Sequence, residues 1–383
     1  MRATEPYITY SPLVNASRSM AGVHLRVHCG SLAAVAVASR LNALLDEWPN
    51  CFTQVLVELA PLEADVWPTG WRPAPSTVVV TRSASLLADP DFVGLADARP
   101  KVCLAAPGNL APDAAGISYI GLPAKALSGW SSPAGTDIGS PILALNCDEP
   151  IEQVYAGQHG AIAWSGWSCM QWKRKPADRK VGMLSTLLKL IQLIDRDADT
   201  VAIEAILKRD APLSYKLIAV ANSAAYGLAV EVTSVRHAIN IVGRAKLKRW
   251  LALMLVQSGG DTPQVLIQTA FVRASFLQAI GSALEIDGAS EDLFLCGAFS
   301  LLDRILGIPI ADVLSRVTIS DAVTDALMDG SGALGPLIEL MHAIEAREPT
   351  EVSRLCDVLS IGPTVVNQAL LSALGSASAP SGV

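Results

Sequence analysis

No Cys-x-x-Cys pair, His-Glu-x-x-His helix, Gly-x-Ser-x-Gly elbow or phosphate loop occurs in the sequence. Zinc frameworks, zinc proteases, elbow-type serine hydrolases and P-loop nucleotide hydrolysis therefore have nothing to build on. The seven cysteines, Cys29, Cys51, Cys103, Cys147, Cys169, Cys296 and Cys356, are odd in number and scattered. That is the pattern of reduced buried thiols, not of a disulfide scaffold. His24, His28, His159, His237 and His342 show no metal-ligand spacing. Charged residues are scarce at 17% and the formal net charge is −7. A broad nucleic-acid footprint is not expected on that count, because it needs a basic face to displace counterions, though a local basic patch stays open. No apolar run reaches the roughly 18 residues of a membrane span. Leu32 to Leu45 is broken by Arg40 and Asn42, and the N-terminal MRATEPYITY has no apolar segment behind a basic start. A soluble cytoplasmic protein is expected.

What is present is apolar patterning, 51% of 383 residues, enough for two cores. From Met183 to Ser258 the apolar residues recur at helical spacing in five short stripes. Leu184, Leu187, Leu188, Ile191 and Ile194 make the first. Asp199 or Thr200 caps the second, which carries Ile203, Ile206 and Leu207. Asp210 caps the third, with Pro212 in its first turn and Leu213, Leu217 and Val220 inward. Ser234 caps the fourth, which ends at Gly243 in a position suited to a left-handed residue; the fifth holds Leu247, Trp250, Leu251, Met254 and Leu255. Isolated helices below roughly 12–15 residues are marginal in water, so these must pack as one unit.

The ordered run LLKLIQLI, ILKRDAPLSYKLIAVANSAAYGL, SVRHAINIVG and LKRWLALML resembles the core of the HDOD domain, a helical relative of the HD phosphohydrolases. Asn222, Ser223, Gly227, Ser234 and Gly243 fall at that family's signature positions and are read as caps and turns. Lys246, Lys248, Arg249 and Trp250 form a candidate interaction patch. The resemblance implies that the helix from Asp261-Thr262-Pro263 through Ala283, and the one begun by Ser290, stand where HD enzymes hold their metal. Ala274 and Ser300-Leu301 occupy the ligand places, with Asp303 two residues on. The segment Phe299-Ser300-Leu301-Leu302-Asp303 is similar to that of proteins that fuse an EAL-like domain to HDOD. Pro309, Ser320, Pro336, Thr350 and Pro363 are expected to start further helices.

The first half reads differently. VLVEL at 55–59, STVVV at 76–80, VCLAA at 102–106, ISYIGL at 117–122, PILAL at 141–145 and AIAW at 161–164 are strand-like. Leu32–Trp48, Ala84–Leu95 and Ile151–Gln158 are candidate helices between them. Alternation of this kind predicts a parallel sheet, closed into a barrel or left as an irregular α/β domain, since six strands fall short of eight. SPLVNASRSMAGVHLR at 11–26 resembles the opening of the EAL-type cyclic di-GMP phosphodiesterase barrel, with His24 in place of the metal-binding glutamate and Leu25 and Arg26 kept. On the same resemblance Ala105 and Ala106 replace paired aspartates, Gly121 and Pro123 a lysine and an aspartate, Leu145 a glutamate and Ser165 a glutamine. Asp148, Gly166 and Trp167 persist.

Phosphodiester hydrolysis by this route needs two divalent ions held by several carboxylates, and alanine, leucine, glycine and proline offer no oxygen ligand. The expected architecture is α+β and two-domain: a degenerate EAL-like α/β domain at 1–172, a basic linker at 173–181, an all-helical HDOD domain at 182–374 and a disordered tail at 375–383. The expected function is catalytically inactive bacterial signalling through protein partners, with no catalytic, metal or cofactor-binding residues. The alternative is a non-catalytic cyclic di-GMP receptor using Arg26 and Trp167 as remnants to pair a phosphate and stack a base. A metal-dependent phosphodiesterase or phosphohydrolase ranks below both.

Overall fold

A computed structural model describes residues 5–60, 67–105, 116–127, 140–172, 181–223, 231–258, 262–286, 290–315 and 319–377. The linker at 173–180, Ala106, Ala224, Gly227, Asp261 and the end from 378 lie outside the described residues. The chain divides into two compact units. One comprises 1–172, 263–265 and 339–376; the other comprises 173–262, 266–338 and 377–383.

The first unit is a closed barrel of eight strands in sequence order. β1 (Tyr7–Asn15) and β2 (Met20–His28) form an antiparallel hairpin, turned at Arg18 with φ 58°. β3 (Gln54–Ala60), β4 (Thr77–Thr81), β5 (Lys101–Ala105), β6 (Tyr119–Pro123), β7 (Ile142–Leu145) and β8 (Ala161–Ser165) follow in parallel with β2. The connections carry α1 (Ala34–Asn42), α2 (Pro90–Val93), α3 (Ala124–Leu127), α4 (Pro150–Gln158) and several 3-10 turns. The six predicted runs are β3 to β8. The two strands that complete the barrel are the hairpin, whose polar inward residues hide the apolar alternation of an ordinary strand. The irregular-domain alternative is thereby set aside.

Side chains point inward at every second position. Leu13, Leu56, Val78, Val80, Cys103, Tyr119, Leu143, Leu145 and Ala163 fill the barrel, with Ala105 packed against them. Closure between β1 and β8 rests on three residues, Leu13, Val14 and Asn15. Among the described residues, the other half of that β1 edge has no strand beside it. Residues 339–376 supply its cover. They hold the end of α15 (Gly335–Ala346), then α16 (Pro349–Leu359) and α17 (Pro363–Ser376), and the last two pack on β1. The buried Asn367 amide accepts from the Ile8 N–H at 3.0 Å and donates to the Pro6 carbonyl at 2.8 Å. Glu5 in turn accepts from the N–H and hydroxyl of Thr364 at 3.1 and 2.6 Å.

The expected helical domain of 182–374 is therefore redrawn: its last part belongs with the barrel, because α16 and α17 pack on β1 and Asn367 bonds the main chain at its start. The expected tail also begins too early. α17 runs through Ser376, and Ala377 is buried.

The second unit is helical: α5 (Val181–Asp195), α6 (Thr200–Leu207), α7 (Ala211–Ala221), α8 (Val235–Val242), α9 (Arg244–Gln257), α10 (Gln264–Ala283), α11 (Ser290–Phe299), α12 (Leu302–Leu306), α13 (Ile310–Leu314), α14 (Asp321–Asp329) and the start of α15. The caps are those that the side chains predict. Asp199, Asp210, Ser234 and Ser320 each accept a hydrogen bond from a first-turn amide, a gain of about 1 kcal/mol apiece. Gly243 differs in detail: φ 77° with ψ 160° is the extended glycine region, not the left-handed helical one. α10 is long and apolar enough to cross a membrane, but 72% of its apolar window is buried within the structure.

Candidate functional site

The mouth formed by the C-terminal ends of the parallel strands is where barrels of this kind place their chemistry. β2 brings His24 and Arg26 there, β3 Glu58, β8 Ser165, and the segments after β4 and β7 bring Arg82, Asn146 and Asp148. Arg347, just beyond α15, joins them.

Glu58 is the hub. Arg26 donates to its Oε2 through Nε at 2.9 Å and Nη2 at 2.8 Å, His24 Nε2 lies 3.5 Å from the same oxygen, and Arg82 faces Oε1 at 3.6 Å. Burial alone would raise the Glu58 carboxyl, but the His24 contact and the Arg26 charge outweigh it and hold the group at about 2. His24 is nearly sealed, at 3% exposure, and burial lowers its pKa so that the ring stays neutral. The Ser165 hydroxyl accepts from the Asn146 N–H at 3.3 Å and sits 3.1 Å from His24 Nδ1, to which its own proton is free to point. That tautomer leaves Nε2–H facing Glu58. His28 pairs with the Thr9 hydroxyl at 2.9 Å and is lowered to about 4, chiefly by burial and then by the Arg26 charge.

The second half of the mouth is held from 200 residues away. Arg347 donates to Asn146 Oδ1 at 3.0 Å and forms an ion pair with Asp148, while Arg26 reaches the same Asn146 oxygen at 3.4 Å. Asp148 Oδ1 also accepts from the Trp167 main-chain N–H at 3.0 Å. The Trp167 ring meets Tyr10 edge-on at 5.2 Å. Three guanidinium groups thus face two carboxylates, an excess of positive charge.

The positions opposite are apolar. Ala105 and Leu145 belong to the barrel filling, and Gly121 leaves no room for more: a Cβ there would lie 2.6 Å from Leu145 Cδ1 and 3.0 Å from Cys103 Sγ. Leu145 therefore occupies the space a side chain at 121 would need. Gly166, at φ 135°, lets the chain pass over Cys147, whose carbonyl oxygen would be 2.3 Å from any Cβ.

Of the two ligand remnants, Arg26 is committed to Glu58, and Trp167 is a half-buried ring on Tyr10. The mouth brings them together only through Asn146 and Asp148. Glu58, Arg82, Asn146 and Arg347 were not among the predicted site residues. Glu58 had a signal, as the one acid inside the apolar run VLVEL; Arg347 had none.

In the helical unit, Asn222 clasps Val232 twice, accepting its N–H at 2.7 Å and donating to its carbonyl at 2.8 Å, which pins the two ends of the segment between them. Ser223 continues that turn by donating its N–H to the Val220 carbonyl at 3.0 Å. The four residues of the candidate patch do not form one cationic surface. Lys248 is paired with Asp195 at 2.6 Å in a nearly buried ion pair. Arg249 lies over the Phe294 ring at 4.4 Å and donates to Gln278 at 2.7 Å; Trp250 is core at 4% exposure, and only Lys246 is exposed. Where HD enzymes place metal ligands, Ala274 is buried and a Cβ at Gly297 would fall 2.3 Å from its nitrogen, so α10 and α11 meet backbone to backbone. The buried Arg273 donates to Ser300 Oγ there at 2.9 Å. No group of three His, Cys, Asp or Glu among the described residues is placed to share a metal ion. The run Gly330–Gly335 has dinucleotide-loop spacing but follows α14 instead of a strand, and it serves as a helix-to-helix turn.

Residues 182–315 match the HDOD domain family. The chain is 29% identical over 178 residues, 46% of its length, to a protein of Vibrio cholerae described as the cyclic di-GMP phosphodiesterase CdgJ. It is 25% identical over 153 residues, 39% of its length, to the uncharacterized protein YuxH of Bacillus subtilis. The chain spans about two fifths of each relative, 41% and 37%.

Proposed function

We propose, with the HDOD match of residues 182–315 as premise, that this chain is a bacterial signalling protein of cyclic di-GMP pathways that works by recognition and not by catalysis. Its first unit is an EAL-like barrel that has given up hydrolysis. The observation that carries this reading is the barrel mouth. Two divalent ions need several free carboxylates. Here Glu58 and Asp148 are already neutralised by Arg26 and Arg347, and Ala105, Gly121 and Leu145 close the opposite wall with apolar atoms. The pairing with CdgJ supports the pathway; the substitutions support the loss of chemistry. Signal output would then run through surfaces offered to a protein partner.

The surplus of guanidinium groups at the mouth favours a second reading, a receptor that binds cyclic di-GMP without cleaving it. Arg82, 82% exposed and no closer than 3.6 Å to Glu58, is placed to receive a phosphate oxygen beside the Arg26–Glu58 pair. Titration calorimetry of the full chain with cyclic di-GMP, with and without Mg²⁺ or Mn²⁺, followed by analysis of the nucleotide, separates the readings. The scaffold reading expects neither heat nor cleavage. Binding without cleavage that is lost in Arg82→Ala makes the chain a receptor, and linear product overturns both.

A further inference from the structure

The large apolar side chains of α4 face away from the barrel. Ile151, Val154 and Tyr155 stand at i, i+3 and i+4 and are 44 to 58% exposed; Gln158, at i+7, continues the stripe. The opposite face holds the buried Ala156 and two polar side chains. Glu152 accepts the Asp148 and Glu149 N–H groups at 3.0 and 3.1 Å, and Gln153 accepts the Ser168 hydroxyl at 3.4 Å. An apolar stripe of this spacing is what a surface helix ordinarily turns to the core. Here it is turned to the outside.

Ile162 enlarges the patch. Ala163 points into the barrel, so the residue before it points out, on the strand against which α4 packs, and it is about half exposed. Among the described residues eleven large apolar side chains are exposed, and four of them fall within 151–162. The other seven are scattered one by one along the chain. The same stretch is empty of cations: no lysine or arginine occurs from 126 to 172. An anionic lipid surface or a nucleic acid would find nothing there to pair with. The acids at the helix start are engaged, Asp148 with Arg347 and Glu149 with the Gln171 amide at 2.9 Å.

We infer that this face is covered by the same face of a second copy of the chain. A two-fold interface sets a patch against itself, so any charge within it meets its like. Residues 153–163 hold no Lys, Arg, Asp or Glu. The area also fits. Four side chains of this size at about half exposure offer on the order of 400 Å² of apolar surface. A standard interface takes about 800 Å² from each partner, a little over half of it apolar. Gln158 and His159, whose ring stacks on Tyr155 at 6.3 Å, supply an uncharged polar rim. The inference stands apart from the barrel mouth and from the pathway reading.

Sedimentation equilibrium of the full chain from about 1 to 100 μM is the test. A reversible dimer is expected. Val154→Glu and Val154→Lys should each weaken it by about tenfold or more, since either charge would face its own copy. Val358→Glu, at an exposed position of α16, should leave it unchanged. The urea midpoint of the parent should rise with protein concentration and those of the Val154 variants should not, all three meeting at the dilute end if the variants are folded. A parent that stays monomeric overturns the inference, whether another protein or the chain's own residues 128–139, outside the described ones, take the face. So does a dimer that survives both Val154 variants or is lost in Val358→Glu.

Discussion

Replacing Asn367 with leucine should cost the barrel unit about 2–4 kcal/mol. The side chain is 2% exposed and its amide makes two hydrogen bonds to the main chain of the first strand, to Ile8 N–H and Pro6 C=O. Leucine has the same branched skeleton with bulkier methyl ends, and it can do neither. Both backbone groups would then be buried without a partner, at about 1–3 kcal/mol each. The burial of an apolar side chain in place of an amide offsets part of this. Asn367→Asp keeps an acceptor for Ile8 but loses the donor to Pro6 and buries a charge, so it should be no better. Urea unfolding followed by tryptophan fluorescence suits the question, because seven of the eight tryptophans lie within residues 1–172. Hydrogen exchange of the Ile8 amide gives the local readout: it should lose protection while amides of β4 keep theirs. A midpoint shift worth less than about 0.5 kcal/mol, or unchanged exchange at Ile8, would refute the claim that the C-terminal helices hold the open half of β1.

Two further outcomes follow from the barrel interior. Gly121→Ala should destabilise by about 1–3 kcal/mol, because the new methyl meets Leu145 Cδ1 at 2.6 Å, and pairing it with Leu145→Ala should recover part of that loss in a double-mutant cycle. Additive effects would mean that the two positions do not share space. Acidification should also weaken the fold in two windows. The folded pKa values of His28 and Glu58 lie below their unfolded values, so stability is present above the unfolded pKa and lost as pH falls through the folded one. The window for His28 runs from 6.5 to about 4, and that for Glu58 from 4.5 to about 2. Since His28 is only half-buried, its loss should be about 2 kcal/mol, and His28→Gln should make the fall of the urea midpoint between pH 6.5 and 4.5 shallower, the buried His24, whose pKa is also lowered, accounting for the fall that stays. A profile identical to that of the parent would remove His28 from the account.

Legibility in the sequence followed the range of the interactions. β3 to β8 could be read because each is a short apolar run buried on both faces. The helix caps at Asp199, Asp210, Ser234 and Ser320 could be read because a cap is settled within three residues. The hairpin strands were half-visible: GVHLRVHCG alternates, yet its inward residues are histidine and arginine. The mouth was out of reach. Arg26 finds Glu58 across 32 residues and Arg347 finds Asn146 across 201, and no local pattern announces such a pair. The same holds for α16 and α17, readable as helices but not as part of the barrel. Lys248 and Arg249 misled for the converse reason, since a run of cations in sequence says nothing of the acids and rings that meet it in space.

The return of residues 339–376 to the first strand has a consequence for the making of the protein. Translation delivers β1 to β8 first, then the whole helical unit, and only then the segment that satisfies Ile8 and Pro6. At about 5–20 residues per second, the interval between the emergence of the last strand and of α17 is roughly 10–40 s. For that time the nascent barrel carries an uncovered strand edge, the kind of surface that chaperones bind and that other chains pair with. α17 is what ends that exposure: a ribosome that stops before residue 363 leaves the edge of β1 uncovered, and one that passes it supplies Asn367 to Ile8 and Pro6.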